Sequence, residues 1–296
     1  MNNAQSPSSR QVLPRGNGVS KLIPMFQLSG ATRLLAISPH LGDAVLSIGA
    51  TLAKAAQDGA KVTVYSAFAG TASPPFSPAA ERMHSIWGIS PDDDAPLCRR
   101  KEDVAALDHL GVVYRHGRFL DSIYRKLPDG QWLTDHKEGR QKLATNQDAP
   151  SSDPDLVAEI KGDLKSAIDE CDPTLIVTSA AVGGHPDDEA ARDAALFAAY
   201  EKNIPIRLWE DLPHVLFRPG AVELPRGFQL GSPEFSAVAT EMRTRKFQAV
   251  QSYPSLLAML DGPGKDLFGD LDEHARKMSP HGGYGEKTWP VTRDED

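Results

Sequence analysis

The sequence predicts an α/β fold: a Rossmann-like, mostly parallel sheet with helices on both faces, followed by an irregular C-terminal portion. Three observations carry this. Short apolar or β-branched runs alternate with helical patterns from residue 33 to 209, the order that gives parallel pairing through right-handed crossovers. The runs at 34–37, 61–68 and 175–178 have the length and composition of strands in a buried sheet. Turn chemistry separates them from the helices that follow: Ser38-Pro39 ends the first run and Gly183-Gly184 follows the third.

The elements follow in order. Leu34–Ile37 reads as a strand and Ala44 onward as a helix, with Val45, Ile48, Leu52 and Ala55 on one stripe and Gly59 at its C-terminus. Lys61–Phe68 alternates as strand two, and Ala79–Trp87 is a short helix. The acidic turn Ser90–Pro96 caps a helix over Leu97–Leu110, which Gly111 ends. Residues 112–150 are loop-rich, with a short strand at Val112–Tyr114. Asp153-Pro154 opens a helix to Glu170, Leu175–Thr178 is a strand, and a helix covers Glu189–Tyr200. Arg207–Glu210 is the last strand expected. Beyond it lie a Pro/Gly-rich stretch, a helix over Phe235–Tyr253 and an irregular tail. Residues 1–30 are expected to be a disordered or extended lead-in, and residues 31–296 a single domain.

Composition narrows the function classes. A formal charge of −8 argues against a phosphate-backbone binder, so no nucleic acid is expected. No apolar run is long enough to span a bilayer, and the first residues lack the apolar core of a signal peptide, so a cytoplasmic protein without a membrane partner is expected. Two cysteines, Cys98 and Cys171, make neither a disulfide framework nor a thiolate metal site. Walker A, G-x-G-x-x-G, G-x-S-x-G and C-x-x-C patterns are absent.

Two polar clusters remain, each just after a strand, where open α/β sheets bind ligands. The first is His40 and Asp43, three apart in one turn, a spacing that lets both face one cation. The second is Gly183-Gly184-His185-Pro186-Asp187-Asp188-Glu189. Read alone, each is also an ordinary helix start, with acids enriched in the first turn.

PHLGDAVLS (residues 39–47) resembles the first motif, P-H-x-D-D, of the PIG-L/LmbE-like zinc N-deacetylases. GGHPDDE resembles the second motif of that family, normally H-P-D-H, because it follows a late strand and leads into an alanine-rich helix. The stretches SPPFSPAAERMH, RRKEDVAALDHL and SPHGGYGEKTWP resemble the branch acting on teicoplanin-type glycopeptide antibiotics. The resemblance implies an LmbE-like α/β fold and removal of an acyl group from the aminosugar of a glycoconjugate or natural product. The implied partner is a small-molecule aminosugar or glycopeptide substrate. It implies a divalent metal, zinc in the family, on His40, Asp43 and Asp188. It implies catalytic roles for His185, which polarises the acyl oxygen, and Asp187, which orients that His. Arg99 and Asp121 would bind the sugar, while Lys246, Ala249 and Tyr253 match a structural helix.

Two departures bear on mechanism. Gly42 stands where the family has its catalytic Asp, so the direct base for water activation is missing. Asp187 and Glu189 are the candidate replacements. Asp188 stands where the family has its third ligand, a His. A His–Asp–Asp set is harder and leans towards Mg²⁺, Ca²⁺ or Mn²⁺. The expectation is weak, altered or absent zinc, with slow hydrolysis; an inactive sugar- or glycopeptide-binding protein, or non-hydrolytic chemistry in the same pocket, is the alternative. The sequence carries no sign of oligomeric state.

Overall fold

The structure, a computed structural model, describes residues 9–11, 26, 28–134, 153–279 and 282–293. Most of the expected lead-in, residues 135–152 of the loop-rich stretch, and His281 of the tail lie outside the described residues. Of the lead-in, β1 (Ser9–Gln11) pairs with a later strand and Phe26 is buried in the core.

The chain then alternates: β2 (Arg33–Ser38), α1 (Asp43–Gln57), β3 (Lys61–Ser66), α2 (Pro78–Ile86), α3 (Ala95–Leu110) and β4 (Val113–His116). A 3-10 turn at Ser122–Tyr124 precedes α4 (Pro154–Cys171), β5 (Leu175–Ser179), α5 (Pro186–Glu201) and β6 (Ile206–Trp209). The caps match their sequence signals. Asp94 accepts from Leu97 N–H at 2.9 Å and Asp153 from Leu156 N–H at 3.1 Å, each with Pro in the first turn. Helix α5 begins at Pro186, three residues earlier than its apolar pattern suggests, which places Asp187 and Asp188 inside its first turn.

Strands β4, β3, β2, β5 and β6 lie side by side in that order, all parallel. Alternate residues of β2 feed two cores. Leu34 and Ala36 pack with α1, α3 and a later helix on one face, Leu35 and Ile37 with α4 and α5 on the other. Burial on both faces is why the run is uniformly apolar.

The C-terminal portion is not irregular, which corrects the expectation. It holds α6 (His214–Phe217), β7 (Val222–Leu224), β8 (Phe228–Leu230), β9 (Glu234–Val238), α7 (Thr240–Gln251), α8 (Pro254–Leu260), α9 (Leu267–Lys277) and β10 (Tyr284–Arg293). β10 extends the main sheet antiparallel to β6, and β8 and β9 pair with it. The helix expected over Phe235–Tyr253 starts only at Thr240, because Ser236 and Val238 alternate into the interior as a strand. Gly285 and Pro290 disguise β10 in the sequence. A Cβ at Gly285 would lie 2.4 Å from the Met278 carbonyl oxygen, and the Pro290 carbonyl accepts from Gly231 N–H at 2.8 Å. No helix among the described residues is long and apolar enough to cross a membrane.

Candidate metal and acyl-transfer site

β2 and β5 are neighbours, but the chain leaves β2 for β3 on one side and β5 for β6 on the other. Their carboxyl ends therefore open a crevice at a topological switch point. Both polar clusters sit there. Ser38 Oγ, at the end of β2, donates to the His40 carbonyl at 2.7 Å and accepts from Ala44 N–H at 3.1 Å. Asp43 accepts from His40 N–H at 2.7 Å. Gly42 closes this turn with φ +98, outside the range that L side chains readily adopt.

After β5 the backbone takes three positive-φ residues, Ala181, Gly183 and Gly184. Ser179 Oγ accepts from Ala181 N–H at 2.8 Å, and Asp211 from Val182 N–H at 2.7 Å. Gly183 is required because a Cβ there would lie 2.1 Å from His214 Nε2. His185 then caps α5, its Nδ1 accepting from Asp187 N–H at 3.3 Å.

The two turns bring His40, Asp43, His185, Asp187 and Asp188 together. His40 Nε2 lies 3.1 Å from Asp187 Oδ2, and its Nδ1 lies 3.4 Å from Asp43 Oδ2 and 3.3 Å from Asp188 Oδ1. The His40 and His185 rings meet edge to face at 5.0 Å. Asp121 joins from the 3-10 turn, 3.8 Å from His40 Nε2, while its Oδ1 caps that turn at Ile123 N–H. Burial opposes a charge on His40, but the Asp187, Asp188 and Asp43 carboxylates against its ring outweigh it and raise the pKa well above the ordinary histidine value.

Asp187 does not hold His185 through its carboxylate, which corrects one expectation. Its Oδ2 takes His40 and the Ser122 N–H at 2.8 Å, and its Oδ1 takes the Arg125 guanidinium. Burial works against this charge too, yet the His40 bond and Arg125 keep the Asp187 pKa below the carboxylate range. Arg125 and Ser122 carry no local motif and are not among the residues the sequence singles out. Glu189 follows the cluster in α5, its Oε1 3.7 Å from where a Cβ of Gly184 would lie. It lines a cavity of about 450 Å³ behind α5, with Val157, Arg192, Phe197 and Glu223. Of the residues weighed for chemistry, Glu189 is the one that lines it.

The donor set fits a cation. His40, Asp43 and Asp188 each offer an atom within 4.8 Å of the others. Asp188 Oδ1 is buried, and its 3.3 Å contact with His40 Nδ1 is too poorly directed to be a hydrogen bond. Four carboxylates (Asp43, Asp121, Asp187, Asp188) face Arg125 and His40, so a divalent ion would offset the excess negative charge. Beside this cluster a shallow cleft is lined by Leu41, Phe68, Pro96, Arg99, Asp121 and Tyr124. The Arg99 guanidinium stacks 4.2 Å over the buried Trp87. Glu102, three residues after Arg99 in α3, instead ties that helix to α8 by accepting from Ser255 N–H and Oγ.

Asp211 gives a test of this network. Burial first, then Ser179 and Val182 as partners that only partly offset it, and the nearby Asp188 and Asp43 charges, leave its pKa at about 8. An acid raised in the folded state is neutral in both states at low pH. Above ~4 only the unfolded chain ionises, so stability falls by ~1.4 kcal/mol per pH unit at most, and levels off once the folded group ionises. Asn has the shape and donors of the neutral acid. Asp211→Asn should match the metal-free wild type near pH 4 and gain on it steadily towards pH 8, read by denaturant melts across pH. A difference that does not change with pH would refute the raised pKa.

The family model for GlcNAc-PI de-N-acetylases, PIG-L, matches residues 35–199, more than half of the chain. No curated protein sequence matches. Among solved structures, the zinc inhibited form of teicoplanin deacetylase Orf2 is 68% identical, covering 89% of this chain and 99% of its own, with a TM-score of 0.85. A deacetylase–teicoplanin complex from the teicoplanin biosynthesis pathway is 67% identical over 89% and 99%, TM-score 0.82. The A40926 pseudoaglycone deacetylase Dbv21 is 55% identical over 90% and 99%, TM-score 0.78. The chain belongs to the PIG-L de-N-acetylase family, in the branch that holds the glycopeptide deacetylases.

Proposed function

We propose that this protein is an N-deacetylase-type hydrolase that takes the acylated aminosugar of a glycopeptide-type natural product into the His40–His185 crevice, and that its water-activating step is severely slowed. Family membership supports the substrate class and the reaction type. The slowing rests on one observation, the geometry at Gly42. Its backbone, at φ +98, aims an ideal Cβ at Leu256 Cδ2, 3.1 Å away, and at the Tyr253 ring, 3.6 Å away. The turn is built around the absence of a side chain.

Neither candidate replacement fills the role. Asp187 is consumed by Arg125, His40 and Ser122, and its depressed pKa makes it a weak base. Glu189 opens into the cavity behind α5.

The remaining residues keep binding and charge-stabilising roles. His40, Asp43 and Asp188 would hold a divalent cation, which when bound polarises an acyl oxygen and acidifies a water. His185, at the edge of the cluster, would donate to the acyl oxygen as negative charge develops there. Asp187 would keep His40 fixed. Arg99 and Asp121, on the cleft wall, would take sugar hydroxyls.

A missing general base typically costs ~10²–10⁴-fold. Hydrolysis of a model N-acetylglucosaminyl substrate should be slower by that factor than in a PIG-L deacetylase with Asp at the position of Gly42. Zinc should be lost on dialysis more readily than from a site with two histidine ligands. Cation binding should also tighten with rising pH, since His40 must shed a proton to ligate. Rapid turnover with zinc retained through dialysis would overturn the proposal. Tight substrate binding with no hydrolysis at any metal loading would favour a binding protein.

A further inference from the structure

Helix α1 is not continuous. Ile48 leaves the helical region at φ −128, ψ 20, one turn after Asp43. A break of this kind strands backbone groups, and buried ones need partners. They find them in a side-chain pair from the C-terminal half. Lys246 Nζ, from α7, donates to the Ser47 carbonyl at 3.3 Å. Glu286, from β10, accepts from Ala50 N–H at 3.2 Å through Oε1 and from Thr51 N–H at 2.7 Å through Oε2. The two side chains bond each other at 2.7 Å, and their exposures are only 6% and 3%. Gly49 lets the lysine stem through, since a Cβ there would lie 3.2 Å from Lys246 Cγ.

A buried ion pair is weak evidence of stabilisation, because apolar residues of similar volume often serve as well or better. Its placement here points to another role. The segment before the break, Asp43 to Ser47, is little more than one turn, too short to hold its own direction. Behind it, Lys246 holds the Ser47 carbonyl, and Ser47 Oγ accepts from Leu212 N–H at 3.1 Å. In front of it stands Asp43, facing His40.

We propose that Lys246 and Glu286 are positioning residues: inserted into the break in α1, they set the angle at which its first turn presents Asp43 to the cation site. This rests on the reading that His40, Asp43 and Asp188 hold a divalent cation, and it adds a reason for the C-terminal half to be wrapped onto the first motif.

The test uses the full chain with Co²⁺ as the probe, whose visible spectrum reports the ligand geometry, beside amide hydrogen exchange. In Lys246→Met/Glu286→Gln, exchange at Ala50 and Thr51 should quicken at least tenfold. Exchange at Asp43 and Ala44 should quicken with it. The Co²⁺ spectrum should change and Co²⁺ affinity drop about tenfold, with both measured well below the melting temperature. Lys246→Arg should preserve the spectrum and the affinity. If the double variant does not fold, Glu286→Asp, too short to reach both amides, should give the same changes in weaker form. A folded double variant with wild-type Co²⁺ affinity and spectrum would overturn the proposal, since a purely structural pair would alter stability alone. If the wild type itself binds no Co²⁺, the cation reading fails. The positioning role then stands or falls on exchange at Asp43 and Ala44: unchanged protection there in the double variant overturns it.

Discussion

Gly42→Asp combined with Asp188→His should raise hydrolysis of an N-acetylglucosaminyl substrate by ~10²–10⁴-fold over the wild type, the usual contribution of a general base. Neither single substitution should approach it. Asp188→His supplies a nitrogen ligand and should retain zinc better, but leaves no base. Gly42→Asp supplies a carboxylate, yet this backbone sets its Cβ against Leu256 and Tyr253. The native turn also holds residue 42 at φ +98. Holding a non-glycine residue in such a region costs ~1–3 kcal/mol, so the turn has a reason to relax. Leu256 Cδ2 is the end of a flexible side chain and can give way. Gly42→Asp should therefore lower stability by up to that amount, measured by thermal or denaturant melts, before any rate is compared. Both changes serve one activated water, so their effects should not add. A folded, zinc-loaded double variant with no gain would show that the crevice no longer accepts the substrate of its relatives.

How far the sequence reveals this arrangement depends on how local each signal is. β2 and β5 are plain because every residue from Leu34 to Ile37 and from Leu175 to Val177 is buried and apolar. The motif turns are plain because their chemistry is packed into a few residues, His40 to Asp43 and Gly183 to Asp188. β10 is concealed by Gly285, which a neighbouring carbonyl demands, and by Pro290 within the strand. The break in α1 leaves no trace in the pattern Val45, Ile48, Leu52, Ala55, because Ile48 stays buried on the same side. Arg125 is hidden for a different reason. Its partner lies 62 residues away, and nothing in RFLDSIYRK distinguishes it from a surface cation.

That hidden residue carries a large expected stability effect. Asp187 is fully buried, and Arg125 is its partner at Oδ1. Arg125→Met removes that partner and leaves the carboxylate in place, the situation in which breaking a buried pair costs ~3–5 kcal/mol. His40 cannot make up the loss, since it already bonds Oδ2 and is shared with Asp43 and Asp188. The deficit should depend on pH in a definite direction. A carboxylate whose folded pKa is depressed contributes stability above the unfolded value of ~3.9, and that contribution disappears as pH falls through the folded value. The wild type thus loses the benefit of the pair in acid, while the variant has little to lose. The gap between them should be widest at neutral pH, begin to shrink near pH ~4 and close only as pH falls through the folded value. Asp187→Asn on top of Arg125→Met should recover a good part of the loss at neutral pH, because it removes the stranded charge and keeps an oxygen for the Ser122 N–H. Denaturant melts of the four proteins, wild type, each single variant and the double, at pH 7 and at about pH 2, below the unfolded value, measure all of this. If Arg125→Met costs under ~1 kcal/mol at neutral pH, the value of an exposed pair, then Asp187 is not held as a buried anion and the charge balance drawn for the cation site is wrong.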